Sequence, residues 1–202
     1  MLPSLPDDIA NLTRGLFAFY VVRSTLRRVL SRKQANNIVS GTHALASLAF
    51  SGRGDLANLR WFSTAYFLND TLSLAKEGKC GVVNAGYVYH HLAAIYLLRG
   101  DATVVPIHTL MFWGELSNLA SYPLYYYLHK QGAPQREKIR FLRKVQRYLY
   151  CGIRIPVFSW QLFWFLRTSP AWQHVVALVP VYLMGVVWAV KILAQGGKLN
   201  SG

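Results

Sequence analysis

Seven apolar runs, separated by short basic gaps, constrain this chain more than any other feature. They cover about residues 9–29, 36–50, 59–75, 81–98, 102–128, 148–166 and 174–194. A helix needs roughly 20 apolar residues to cross a bilayer core, and most of these runs approach or exceed that. Runs of this length can bury their backbone polar groups only as helices. The spacing therefore predicts an all-α polytopic membrane helix bundle of six to seven transmembrane helices enclosing a polar chamber. The first run is the weakest, because Arg14 and Arg23 bracket only LFAFYVV. It reads either as a span with snorkelling arginines or as an interfacial helix. Residues 1–35 form an N-terminal segment, 36–194 the transmembrane domain and 195–202 a tail.

Composition agrees with this reading. The chain has 202 residues, 53% hydrophobic and 15% charged, with a formal net charge of +14. Such a charge would ordinarily raise nucleic acid as a partner. Here the basic residues lie in gaps between bilayer-length apolar runs, so no nucleic-acid partner is expected. If successive connections alternate sides, sixteen of the 22 Lys and Arg fall on one side and five on the other. Arg154 lies within a run. That excess predicts a cytosolic C-terminus and a cytosolic connection between the fifth and sixth runs. Within that connection, REKIRFLRKVQR reads either as an amphipathic element at anionic headgroups or as a plain loop. No cleaved signal peptide is expected, since the N-terminus is acidic before its apolar run. Cys80 and Cys151 give neither a disulfide framework nor a metal-ligand spacing. The prolines of the later runs, Pro106, Pro123, Pro156 and Pro180, are expected to be accommodated by neighbouring helices.

Ionisable residues inside such runs are costly, on the order of 2.5–3.5 kcal/mol or more at the bilayer centre. Six stand out: His43, Asp70, His90, His91, Glu115 and Arg154. The charge asymmetry places all six at mid-depth or toward the cytosolic half, which predicts a chamber opening toward the cytosolic leaflet. Neighbouring histidines on a helix point about 100° apart, so one of His90 and His91 is expected to meet a ligand while the other bonds to an adjacent helix. Histidine suits a general base or a transient acyl carrier. Asp70 would orient its imidazole, and Arg154 would meet an anionic group. A purely structural ion-pair network is the competing reading. No histidine box is present, so no metal is expected, and neither a GxSxG elbow nor a phosphate-binding glycine loop occurs.

The ordered set SGTHALASLAF, WFSTAYFLNDTL, YVYHHLAAI, GELSNLASYPLYYY, GIRIP and VVWAVKIL resembles the TLC-domain family of multi-pass membrane proteins. The likeness covers roughly residues 36–194. It implies a helix bundle around a lipid-accessible chamber, in an endomembrane such as the endoplasmic reticulum. In the related ceramide synthases, paired histidines and an aspartate are linked to acyl transfer from acyl-CoA to a lipid amine. The resemblance thus assigns His90, His91 and Asp70 as catalytic residues, and His43, Glu115 and Arg154 to substrate binding. The stretch LMFWGELSNLASYP has Glu115 but lacks the HD of the synthases, so the likeness is closer to the smaller family members, several of which are linked to membrane lipid composition or trafficking. Membrane lipids are the expected partners, acyl-CoA is the co-substrate if the protein is an acyltransferase, and no bound cofactor is required. Homo-oligomerisation is left open. A non-catalytic lipid sensor, regulator or trafficking protein is the alternative, and a transporter ranks below both.

Overall fold

The computed structural model describes residues 5–76, 81–100, 106–130, 135–168 and 171–197. Cys80, Lys79, Lys198 and the expected beginning of the fifth run lie outside these residues, as does most of the tail. The described residues form helices and no strand. In order these are α1 (Leu5–Val29), α2 (Arg32–Gly52), α3 (Leu56–Ala75), α4 (Val82–Arg99), α5 (Ile107–Asn118), α6 (Ser121–Leu128) and α7 (Arg136–Arg147), followed by a π-helical segment (Tyr148–Arg154), α8 (Ile155–Arg167) and α9 (Trp172–Gly197). Two uninterrupted helices, Arg136–Arg167 and Trp172–Gln195, are long and apolar enough to cross a membrane.

Local chemistry sets the helix ends. Ser31 and Gln34 form a reciprocal capping box at the start of α2, satisfying two backbone donors. Gly54, at φ 69°, makes the turn between α2 and α3, a conformation that glycine adopts without a Cβ penalty. Asp55 then caps α3 by accepting from the Asn58 backbone N–H at 3.1 Å and its side-chain amide at 2.6 Å. These bonds hold the Asp55 carboxyl below its usual range.

Three prolines reshape the later helices by the same mechanism, a missing N–H and a clash with the carbonyl four residues back. Pro123 cannot bond Leu119, and the expected fifth run is divided there into α5 and α6. Pro156 cannot bond Gly152, and the helix passes through the wider π-helical turn just before it. Pro180 stays inside α9. The Val176 carbonyl it leaves free accepts from the Tyr89 hydroxyl of α4.

The first run is a full member of the bundle, because α1 packs along α3 and against α2. Gly15 allows this approach: a Cβ there would lie 2.7 Å from the Ala65 Cβ and 3.2 Å from the Trp61 ring. The main core cluster joins Phe19 of α1, Val39 of α2, Leu59 and Phe67 of α3, Leu97 and Leu98 of α4, and Met111 of α5. REKIRFLRKVQR is helical throughout as α7 and leads directly into α8. Polar groups gather inside, including Arg23, His43, His91, Glu115 and Arg154. Large apolar side chains such as Phe17, Trp160, Phe163, Leu183, Val187 and Val190 face outward.

Candidate functional site

The buried polar residues resolve into three linked groups. The first is centred on His43 of α2, whose ring stacks on Tyr66 at 3.9 Å between centroids. Its Nε2 lies 3.1 Å from the Ser63 Oγ and 3.0 Å from the Ser47 Oγ. Its Nδ1 lies 3.5 Å from Glu115 Oε1, and the Tyr122 hydroxyl donates to Glu115 Oε2 at 3.1 Å. Hydroxyl, imidazole and carboxylate in this order have the logic of a hydrolase triad. The serines, however, are completely buried and line none of the described cavities. The arrangement buttresses Glu115 from the side away from the cavity through His43 and Tyr122.

The second group joins α1, α3 and α4. Arg23 donates to Asp70 Oδ1 at 2.7 Å. His91 Nε2 is 3.8 Å from Asp70 Oδ2, beyond hydrogen-bond distance, and its Nδ1 is 3.3 Å from the Thr71 hydroxyl. Asp70 is therefore bonded first to Arg23, a residue the sequence reading counts among the flanking charges. The structure places Arg23 inside the bundle with 4% of its surface exposed. An arginine following FAFYVV was the available signal, since its apolar setting equals that of the six residues selected.

The third group surrounds a cavity of about 80 Å³ among α3, α4, α5, α8 and α9. His90, Glu115, Asn118 and Arg154 supply its polar wall. The π-helical segment sets Arg154 against α5, where its Nη1 donates to the Gly114 carbonyl and the Ser117 hydroxyl, each at 3.2 Å. Its guanidinium also lies over the rings of Tyr150 and Phe158. Among the described residues no carboxylate lies within salt-bridge distance of Arg154. A second, apolar cavity of about 40 Å³ adjoins the first through Leu110, Phe158, Leu178 and Val181. It continues to Pro106, Gln161, Phe165 and Tyr182.

His90 and His91 thus part as their angular separation requires. His90 faces the cavity, whereas His91 is buried beside the Asp70 pair. His90 shares its cavity with Glu115 and Arg154, so the catalytic and substrate-binding sets expected from sequence are regrouped. The cavity spans from Leu97 near the C-terminus of α4 and Ile107 in the first turn of α5 to Asn118 at the end of α5 and Arg154. Tyr122 lies against Glu115, and the Tyr150 ring lies against the Arg154 guanidinium. Sequence reasoning also missed Ser47, one helical turn after His43, together with Ser63, Ser117 and Tyr122. Among the described residues no group of three potential metal ligands converges. Comparison with protein-family models, curated proteins and solved structures found no match for this chain.

Proposed function

We propose that this chain is a multi-pass membrane protein, related to the TLC-domain proteins, that holds a membrane lipid in the cavity bounded by His90, Glu115 and Arg154. The observation that carries this reading is the continuity of that polar wall with an apolar cavity. An amphiphile would place its head at Arg154 and its chain along Phe158 and Leu178. A buried guanidinium that makes no direct salt bridge among the described residues favours an anionic or strongly polar head. The inverted surface, with charge inside and large apolar groups outside, supports a lipid setting. The charge asymmetry supports a cytosolic C-terminus, and the resemblance supports an endomembrane location.

Acyl transfer from acyl-CoA to a lipid amine or alcohol is the reaction this wall suits best. His90 would take the proton from the acceptor as it attacks the thioester carbonyl. The new acyl bond forms, the C–S bond breaks, and the proton leaves with the thiol. Glu115, held by His43 and Tyr122, would face the developing imidazolium. His91 and Asp70 would support the helices that carry this wall.

The test supplies purified protein with labelled acyl-CoA and lipid acceptors. Labelled product that falls at least about 100-fold in His90→Ala, within the usual range for losing a general base, and survives in His91→Ala supports catalysis at His90. Retention of a labelled lipid that needs Arg154, without any product, supports the alternative of a non-catalytic lipid sensor or carrier. Failure to retain any lipid overturns both.

A further inference from the structure

We infer that α7 is a binding surface for the headgroups of anionic phospholipids in the membrane the chain occupies. The inference rests on the membrane-spanning reading. Six of the twelve residues of α7 are basic: Arg136, Lys138, Arg140, Arg143, Lys144 and Arg147, against one acid, Glu137. At 100° per residue, Arg136, Arg140, Arg143 and Arg147 fall within about 60° of one another, with Lys144 at their edge. Among the described residues none of these five has a carboxylate within salt-bridge distance. Gln146, about 60° from Arg143 around the helix, is buried and donates to Ser121 of α6 at 2.9 Å, so the Arg143 edge of the arc borders the packed side of α7. Lys138 is spent on the Tyr127 ring. Arg136, Arg140 and Lys144 are exposed and Arg143 and Arg147 half-buried, and none of the five is paired with a carboxylate among the described residues.

Depth and flanking groups point to lipid. The helix Arg136–Arg167 is uninterrupted over 32 residues. Its apolar portion, residues 148–166, is about 28 Å long at 1.5 Å per residue, close to the roughly 30 Å of a hydrocarbon core. With that portion in the core, the last turns of α7 lie in the headgroup layer, and its first residue extends about 18 Å beyond the core. Phe141 and Tyr148 lie beside the arc, 66% and 68% exposed. An aromatic flank beside a basic arc suits the boundary between headgroups and acyl chains. A soluble acidic partner would need the charges but not the exposed rings.

The test reconstitutes the full chain in vesicles of phosphatidylcholine and phosphatidylserine in equal amounts, then counts lipids retained on the released protein by native mass spectrometry. Phosphatidylserine should be retained over phosphatidylcholine. The triple variant Arg140→Gln, Arg143→Gln, Lys144→Gln should lower that preference at least about tenfold. Arg140→Lys, Arg143→Lys should keep it, and so should Lys33→Gln, Lys76→Gln, which removes charge elsewhere at the same end. Equal retention of both lipids by the wild type overturns the inference. So does unchanged preference in the triple variant, or loss in the Lys33, Lys76 control. Release of the protein from vesicles by alkaline carbonate would overturn the membrane reading itself. Insertion without lipid preference overturns only the role of α7.

Discussion

His90 and His91 are consecutive residues of α4, yet they serve different regions of the interior. On the His91 side, α1, α3 and α4 meet around Arg23 and Asp70, and the charges neutralise each other within the protein. On the His90 side, α4, α5 and the helix carrying Arg154 surround a cavity whose arginine has hydrogen bonds but no carboxylate within salt-bridge distance among the described residues. The first region is closed by a direct ion pair. The second is open to a cavity, with Arg154 and Glu115 on its wall but no direct ion pair between them. That contrast separates a residue buried beside an ion pair from one that lines a cavity, a distinction neither residue type nor sequence position makes.

Substitutions can break this contrast, and the largest effect is expected in the closed region. Asp70→Ala leaves the Arg23 charge buried without a partner and should cost about 3 kcal/mol, read as a fall in the melting temperature in detergent. Replacing both partners, Arg23→Met with Asp70→Leu, should recover most of that loss. If Asp70→Ala melts like the wild type, the pair is not structural. Gly15→Val tests the seating of α1. The added side chain must displace Ala65 or Trp61, and overpacking of this kind costs about 2 kcal/mol.

In the open region the order of effects should reverse. Arg154→Gln should reduce lipid retention at least about tenfold, equivalent to about 1.4 kcal/mol, with little change in melting temperature. Retention that survives while the protein melts early would assign Arg154 to structure and remove the distinction between the two regions. The smallest effect belongs to a helix end outside both. Asp55→Ala removes the cap of α3 and should cost at most about 1 kcal/mol. The Asp55 carboxyl is lowered in the folded chain by its bonds to Asn58, so it favours folding while ionised. That contribution should be full above about pH 4 and be lost as the pH falls below it. A cap mutant whose stability difference persists at pH 2 would contradict this account.

Much of the architecture was legible because apolar runs and helix punctuation are local properties. The runs expected at 59–75 and 81–98 correspond closely to α3 and α4. The division at Leu119 was readable in principle from Pro123, but a continuous hydropathy pattern concealed it. The candidate residues were found for a sound reason, since a charge in an apolar run needs a partner. Their partners were not legible. Arg23 reaches Asp70 across 47 residues of chain, and His43 reaches Glu115 across 72, distances over which spacing along the chain says nothing about contact.

The sequence by itself determined the helical character of the chain, most helix positions and the costly interior residues, because each follows from hydropathy, backbone satisfaction and proline chemistry within a few turns. Tertiary packing alone decided which histidine faces a cavity, which carboxylate is directly paired and which arginine makes no direct ion pair among the described residues. Those outcomes depend on the rotation of each helix about its axis, and that rotation is set by contacts with neighbours such as Gly15 against Ala65.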